Sequence, residues 1–329
     1  MTKDLLINLH THLEGRVRPA TAADLAAKAG LPEPTGGWAQ ALQLDGPADL
    51  TAFLAKVNAT YPFFGSIGGL GRIVSEAVQD AAADGVDYLE LRFGPASHTR
   101  PGFELDDVVR AACDGVIEGT RLSGMPAGIV VAALRHHPAE LNLEVARVAA
   151  RFAGAGVVGF DLAGDELRHP ALEPYVKPFA VAGAAGLGLT CHAAEAAPAQ
   201  AARDAVRLFG VGRIGHGAHV AADPEALAWA ADSGVVIEVC PTSNWFTGAI
   251  PAIEAHPAAR FARAGVPVVL GDDNPTQTGS PMSAEFAVLT NQLGFSKTEM
   301  LDLQRVSVSS MFADPSVRAD LDARLPPQP

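Results

Sequence analysis

The stretch Leu5-Leu6-Ile7-Asn8-Leu9-His10 is a short apolar run that ends in a polar residue, and Thr11-His12-Leu13-Glu14-Gly15 follows it directly. A short apolar run of this length is typical of a buried β-strand. Alternate residues of a strand point to the same side, so His10 and His12 can present both imidazole rings to one cation where the strand ends. The stretch therefore predicts a strand that carries half of a metal site at its C-terminal end.

Seven further apolar runs follow, and Ala-rich segments with helical periodicity separate them. They are Tyr88–Phe93, Gly128–Leu134, Val157–Leu162, Leu187–His192, Arg213–Gly217, Val235–Cys240 and Pro267–Gly271. Short buried strands that alternate with helices are typical of parallel βα units, and eight such units close into a barrel. The sequence therefore predicts an α/β fold, a (β/α)8 TIM barrel, as a single domain over residues 1–329.

The first connection, from Leu13 to Asp87, is much longer than the others. A crossover of this length is expected to hold extra helices, so we predict a helical insertion at about residues 20–80 that lies over the barrel mouth as a lid or substrate wall. At the other end, the Pro-rich residues 325–329 are predicted to be disordered.

The formal net charge is −13, and the sequence contains no cluster of Lys and Arg residues. This charge argues against a nucleic-acid or anionic-membrane partner and favours a small neutral or cationic ligand. The N-terminus lacks the pattern of a signal peptide and no apolar stretch reaches membrane-spanning length, so we expect a cytoplasmic protein. Three widely spaced cysteines, Cys113, Cys191 and Cys240, are expected to be buried thiols. The oligomeric state is not indicated.

Each predicted strand ends in residues suited to chemistry, and in a barrel of this type the active site lies at the C-terminal strand ends. In order, these ends read His10-Thr11-His12, Glu90-Leu91-Arg92, Arg135-His136-His137, Asp161-Leu162-Ala163-Gly164-Asp165-Glu166, His192-Ala193-Ala194-Glu195, His216-Gly217-Ala218-His219, Pro241-Thr242-Ser243-Asn244 and Asp272-Asp273-Asn274-Pro275. Among them, Glu90 and Arg92 are expected to form an ion pair inside the barrel, and Asp161 to orient a neighbouring group.

Four of these residues form a set with the ligand types that Zn²⁺ prefers: His10, His12, His192 and Asp272. Three imidazole nitrogens and one carboxylate also tolerate iron or another first-row divalent ion. Zn²⁺ lowers the pKa of a bound water toward neutrality. We therefore predict one Zn²⁺ per chain and a hydrolytic site.

The remaining residues divide into roles around the activated water. His216 and Asp273 are the nearest free groups to orient the water and accept its proton. Glu195 follows His192 by three residues and is predicted to donate a proton to the substrate, provided that the closed site raises its pKa. Gly164 offers a backbone N–H that no side chain obstructs.

In this order, the motifs resemble the adenosine deaminase family of the amidohydrolase superfamily, over nearly the whole chain. The resemblance rests on His10-Thr11-His12-Leu13-Glu14-Gly15, Tyr88–Phe93, Leu134-Arg135-His136, Asp161–Glu166, His192-Ala193-Ala194-Glu195, Arg213–Gly217, Cys240–Asn244, Thr247-Gly248 and Asp272-Asp273. It implies a zinc-dependent purine deaminase built on a (β/α)8 barrel.

The resemblance also implies roles that agree with those above. It implies His10, His12, His192 and Asp272 as zinc ligands, and His216 and Asp273 as the residues that position and activate the water. It further implies that Glu195 protonates ring nitrogen N1 and that the backbone N–H of Gly164 meets N3. Attack of water at C6 then releases ammonia.

The chain departs from the family pattern at two places. Glu14 stands where the adenosine enzymes usually have Asp, a residue that contacts the ribose 5′-hydroxyl, and Asn274 precedes Pro275 where the family commonly has no Asn. The Pro241–Asn244 motif resembles nucleoside-acting members. The resemblance therefore favours a 6-aminopurine nucleoside, with adenosine or 2′-deoxyadenosine converted to inosine or 2′-deoxyinosine. A 5′-modified relative such as aminodeoxyfutalosine, or free adenine, is the alternative.

Two other classes of protein remain as weaker alternatives. A binuclear amidohydrolase usually places a bridging Lys or Glu at the end of the fourth strand, where this chain has Asp161-Leu162-Ala163-Gly164. A barrel that binds a ligand without catalysis is expected to lose a metal ligand or the proton donor, and this chain keeps both.

Overall fold

The computed structural model describes residues 4–327 and contains one sheet of eight parallel strands in sequence order. The strands are β1 (Ile7–His12), β2 (Tyr88–Phe93), β3 (Ala127–Leu134), β4 (Val157–Ala163), β5 (Gly188–Ala193), β6 (Arg213–His216), β7 (Val236–Val239) and β8 (Val268–Leu270). The seam between β1 and β8 joins at a bridge of Thr11 with Asp273, where His12 N donates to Asp273 O over 2.7 Å. The predicted (β/α)8 barrel is therefore confirmed.

Fifteen α-helices within residues 4–327 cover the outside of the barrel and its mouth. They are α1 (Pro19–Lys28), α2 (Gly37–Leu42), α3 (Leu50–Asn58), α4 (Ile67–Ala83), α5 (Leu105–Ser123), α6 (Ala139–Arg151), α7 (Val176–Ala184), α8 (Gln200–Phe209), α9 (Pro224–Ser233), α10 (Pro241–Phe246), α11 (Ala258–Arg263), α12 (Pro275–Thr278), α13 (Met282–Asn291), α14 (Lys297–Ser310) and α15 (Pro315–Asp322). Helices outside and side chains inside bury both faces of the strands, which explains their near-continuous apolar runs.

The long connection between β1 and β2 contains α1 to α4. Its α3 packs over the barrel mouth, because Phe53 and Val57 form a small apolar cluster with Phe246 of α10. A backbone hydrogen bond of 2.8 Å from Ala48 to Phe246 fixes the start of this segment to the same helix. The insertion is therefore a wall of the barrel mouth.

The barrel interior holds a buried network of charges below the mouth. Arg92 pairs with Asp161 over 3.1 Å and with Glu238 over 2.9 Å, while Arg213 pairs with Glu90 and with Glu238. The predicted pairing of Glu90 with Arg92 is therefore wrong. A different strand, in most cases one that is not adjacent in the sheet, supplies each partner, because side chains that point inward meet across the barrel interior.

The described part of the C-terminal tail packs against the barrel, and the cysteines are free thiols. Leu325 packs against the apolar cluster beneath β1, and Arg305 donates to the carbonyl groups of Pro326 and Pro327. Of the tail that is predicted to be disordered, residues 328 and 329 lie outside the described residues. All three cysteines are buried and free. No helix within residues 4–327 combines the length and the apolar character that a membrane span requires.

Candidate metal and catalytic site

Three histidines from two strands converge at the C-terminal end of the barrel. His10 and His12 come from β1 and His192 from β5, and their ligand nitrogens all lie within 4.8 Å of one another. The Nε2 atoms of His12 and His192 are 3.1 Å apart. Tetrahedral ligands at 2.0–2.1 Å from a metal lie about 3.3 Å from each other. The cluster therefore fits a divalent ion.

The carboxylate beside these histidines belongs to Asp273. Its Oδ1 lies 3.3 Å from His12 Nε2 and 3.6 Å from His10 Nε2. Both Asp273 Oδ1 and His10 Nε2 are buried and have no hydrogen-bond partner within residues 4–327. Buried polar atoms without a partner are costly, and a cation bound between them would satisfy both. Ser243 donates its hydroxyl to the other oxygen of Asp273.

Asp272, which the sequence predicts as the metal-binding carboxylate, points elsewhere. Its Oδ1 accepts a hydrogen bond of 2.8 Å from Asn8, and its Oδ2 pairs with the guanidinium of Arg16. The physical reason is that β8 ends at Leu270 and that Asp273 has a left-handed backbone with φ of 55°, which turns its side chain toward the histidines. In the structure the carboxylate that faces the histidines is therefore that of Asp273, and not that of Asp272 as the sequence predicts.

Two buried carboxylates orient the histidine rings. His10 Nδ1 donates to Glu238 over 2.6 Å, and His192 Nδ1 donates to Asp161 over 3.0 Å. A carboxylate on one ring nitrogen fixes the other nitrogen as the metal ligand and raises its basicity. Asp161 thus lies where it orients a neighbouring group, as predicted. Glu238 is not among the residues predicted from the sequence, although a single acid within the apolar run Val236-Ile237-Glu238-Val239 is a usable signal.

Close backbone packing holds His10 in place. A Cβ atom added to Gly271 would lie 2.4 Å from the carbonyl oxygen of His10, and one added to Gly215 would lie 2.9 Å from the His10 ring. Neither position has room for a side chain. Glycine at both positions is therefore required for β1, β6 and β8 to bring this ring to the cluster.

Glu195 and His216 lie beside the cluster, at the ends of β5 and β6. Glu195 Oε2 is 3.8 Å from His216 Nε2. Burial, together with the negative charge of Asp273, raises the pKa of Glu195 well above its usual value, whereas burial lowers the pKa of His216 well below its usual value. These opposite shifts favour the protonated form of the Glu195 carboxyl and the neutral form of the His216 imidazole.

Backbone strain within residues 4–327 is concentrated at the same strand ends. The non-glycine residues with positive φ are Ala194, His216 and Asp273, at 56°, 63° and 55°. A left-handed backbone costs a non-glycine residue about 1–3 kcal/mol, and such residues cluster where function requires a specific side-chain direction. Each of the three follows or ends a strand that contributes to the cleft.

One cleft of about 380 Å³, whose outer wall is α3, is lined by His12, His192, Glu195, His216 and Asp273. Gly164 lies in its lining with φ of 107°, and Glu14 lies there with its carboxylate held by His98 Nε2 over 2.9 Å. Asn274, which the sequence analysis did not assign to the site, also lines the cleft, and its Oδ1 has no partner within residues 4–327. Of the predicted site residues, all but His10 and Asp272 line this cleft, and His10 lies fully buried behind His12 and His192.

The fold and the position of its cleft place the chain among barrel hydrolases of the amidohydrolase type. The family model of adenosine deaminase matches residues 6–326. An adenosine deaminase from Enterococcus faecalis is 32% identical over 324 residues, which are 97% of this chain and 95% of that protein. The chain belongs to the adenosine deaminase family, which confirms the resemblance seen in the sequence.

Solved structures agree with this assignment. An adenine deaminase from Arthrobacter aurescens superposes with a TM-score of 0.89 at 25% identity, over 98% of both chains. A Burkholderia ambifaria amidohydrolase with bound zinc superposes with a TM-score of 0.88 at 24% identity, over 97% of this chain and 88% of that one, and shows the fold alone. The protein is therefore a hydrolytic deaminase that acts on C–N bonds of purines.

Proposed function

We propose that the enzyme deaminates a 6-aminopurine nucleoside, with one Zn²⁺ held by His10, His12, His192 and Asp273. The observation that carries the proposal is Glu195, a buried acid with a raised pKa that lines the same cleft as His12, His192 and Asp273. Hydrolysis at C6 of a purine needs a water activated on one side of the ring and a proton delivered to the ring nitrogen beside the reacting carbon. The cleft supplies both.

When bound, Zn²⁺ supplies a water whose pKa lies near neutrality. Glu195 holds the proton that passes to ring nitrogen N1 as the oxygen of water attacks C6. The carboxylate of Asp273 takes the proton that the water loses. That proton passes to the amino group, the C6–N6 bond breaks and ammonia leaves, and the hydroxyl proton left at C6 returns to Glu195. The backbone N–H of Gly164 is proposed to hold N3, which fixes the ring in the cleft.

A nucleoside is favoured over the free base by the walls of the cleft. Beyond Glu195, the cleft extends under α3, whose Leu50, Phe53 and Leu54 provide an apolar wall. Glu14, whose carboxylate the buried His98 holds in place, provides a hydrogen-bond acceptor beside this wall that is suited to a sugar hydroxyl. The relative from Enterococcus faecalis carries the name adenosine deaminase, whereas the neighbour from Arthrobacter aurescens is an adenine deaminase. Free adenine is therefore one competing substrate. A 5′-modified nucleoside is the other, because Glu14 stands where the adenosine enzymes usually have Asp.

A substrate panel tests the proposal. The zinc-loaded enzyme is assayed for kcat/KM with adenine, adenosine, 2′-deoxyadenosine and aminodeoxyfutalosine, and ammonia release is measured with each. We expect adenosine or 2′-deoxyadenosine to give the highest value. A preference for adenine, or for aminodeoxyfutalosine, would overturn the substrate assignment, and no turnover of any 6-aminopurine would overturn the reaction.

Glu14→Gln separates the sugar contact from the chemistry. If Glu14 accepts a hydrogen bond from the sugar, the variant loses about tenfold or more in kcat/KM for adenosine, because a hydrogen bond to a charged group contributes about 1.5–3 kcal/mol. Its residual turnover of adenine should be unchanged. An equal loss with both substrates would place Glu14 outside the sugar site.

A further inference from the structure

A chain of hydrogen bonds runs from a backbone amide behind the cleft to His216. Ala258 N donates to His256 Nδ1 over 3.1 Å, His256 Nε2 lies 3.1 Å from Asn244 Oδ1, and Asn244 Nδ2 lies 3.0 Å from His216 Nδ1. His256, Asn244 and His216 are all buried. Nothing in the roles described above uses His256 or Asn244.

The direction of this chain follows from its first member. A backbone N–H can only donate, so His256 Nδ1 must accept and the ring proton of His256 is on Nε2. Burial lowers the pKa of His256 to about 3, so the ring is neutral with that single proton. His256 Nε2–H then donates to the Asn244 oxygen, which turns the amide nitrogen of Asn244 toward His216.

The opposite orientation is excluded by the same contact. If the amide of Asn244 were reversed, its nitrogen would donate to His256 Nε2, and the ring proton would move to Nδ1. That proton would then face the N–H of Ala258 across 3.1 Å. Two buried donors that face each other are both left without an acceptor, which is unfavourable because neither regains the hydrogen bond that it made with water.

We infer that Asn244 and His256 are positioning residues that fix the tautomer of His216, with the proton on Nε2 facing the cleft. Asn244 donates to Nδ1, so the only ring proton of a neutral His216 is on the nitrogen that lines the cleft. His216 therefore presents an N–H donor to the attacking oxygen. This conclusion revises the role predicted from the sequence, in which His216 accepts the proton of the water.

The inference rests on the proposed function only in that His216 faces the attacking water, and its test reads the tautomer without turnover. The zinc-loaded enzyme is labelled with ¹⁵N-histidine, and long-range ¹H–¹⁵N spectra report which ring nitrogen carries the proton. A His216→Gln sample identifies the resonances of His216. We expect a protonated Nε2 and an unprotonated Nδ1, and the reverse pattern in the wild type would overturn the inference whatever the activity.

Variants of the two positioning residues supply the second readout. Asn244→Asp keeps the shape but places an acceptor against His216 Nδ1, so the proton should move to Nδ1 and kcat should fall about 10²–10³-fold, the usual loss of one oriented donor, with KM changed far less. His256→Phe should lower kcat, whereas His256→Gln, whose amide still donates to Asn244, should restore most of it. An unchanged tautomer in Asn244→Asp would contradict the inference.

The two proposals fail in distinguishable ways. A wild-type enzyme with the expected tautomer but no turnover of 6-aminopurines would overturn the proposed function alone. Turnover of a nucleoside with the proton on His216 Nδ1 would overturn the tautomer alone. Because the wild-type spectrum is decisive by itself, a variant that fails to fold, as judged by thermal melting and zinc content, does not remove the test.

Discussion

The Oδ1 atom of Asp273 lies 3.3 Å from His12 Nε2, across the seam where β8 meets β1 and the barrel closes. The backbone of both residues takes part in this seam, because His12 N donates to Asp273 O. The contacts that close the barrel therefore also bring Asp273 to the histidines of the candidate metal site. A chain that fails to close this seam loses the site.

Replacing Glu195 with Gln tests the proton donor. Burial favours the protonated form of the carboxyl, and the amide cannot deliver a proton, so we expect kcat to fall by about 10²–10⁴-fold while zinc content is unchanged. Wild-type activity should decline as the pH rises through the raised pKa of Glu195. Glu225→Gln, on the exposed start of α9, is the matched control and should behave as wild type. A near-normal kcat in Glu195→Gln would show that a group other than Glu195 donates the proton to the substrate.

Asp161 and Glu90 are both buried acids of the interior charge network, so a variant of Glu90 can serve as the control for a variant of Asp161. Asp161 accepts from His192, a proposed zinc ligand, whereas Glu90 pairs with Arg213 and contacts no histidine of the cluster. Asp161→Asn should weaken zinc binding by about 10–100-fold, as loss of such an orienting partner usually does. Glu90→Gln should destabilise the fold yet keep zinc affinity, which competition with a chelator measures. Equal zinc affinities in the two variants would contradict an orienting role for Asp161.

Glu285 on α13 is expected to make stability depend on pH. Its carboxyl accepts from Thr242 N over 3.2 Å and contacts the Ser280 hydroxyl, and burial raises its pKa from 4.5 to about 7. The folded state therefore holds a proton that the unfolded state has lost between these two pH values. The associated stability is complete below pH 4.5 and is lost as the pH rises to about 7, by on the order of 3 kcal/mol.

Glu285→Gln removes this dependence. The unfolding free energies of wild type and variant are measured by urea denaturation. Between pH 4.5 and 7 the wild type should lose stability relative to the variant, and above pH 7 the difference between them should stay constant. Parallel stability curves for the two proteins over this range would show that the carboxyl titrates normally.

The sequence predicts the strands and most of the cleft because these depend on local patterns. Eight apolar runs are enough for the barrel, and the rule that function lies at the C-terminal strand ends brings His10, His12 and His192 together. Glu195 follows from its distance along the chain to His192. None of these steps requires knowledge of a backbone angle.

What the sequence could not provide depends on tertiary geometry. The choice between Asp272 and Asp273 follows from a left-handed backbone just after β8, which leaves no trace in the residue pattern. The contact of His10 with Glu238 requires that the side chains of β1 and β7, which β8 separates in the sheet, meet in the barrel interior. The link of Asn244 to His256 likewise depends on the path of the chain after α10.

The most direct test of the proposed metal centre compares zinc content and affinity in Asp273→Ala and Asp272→Ala. Asp273 faces the histidines, so its variant should lose zinc affinity by more than the 10–100-fold that an orienting partner contributes, and deaminase activity with it. Asp272 faces Arg16 and Asn8, so its variant should keep stoichiometric zinc although it melts at a lower temperature. Full zinc in Asp273→Ala together with its loss in Asp272→Ala would contradict the proposed centre.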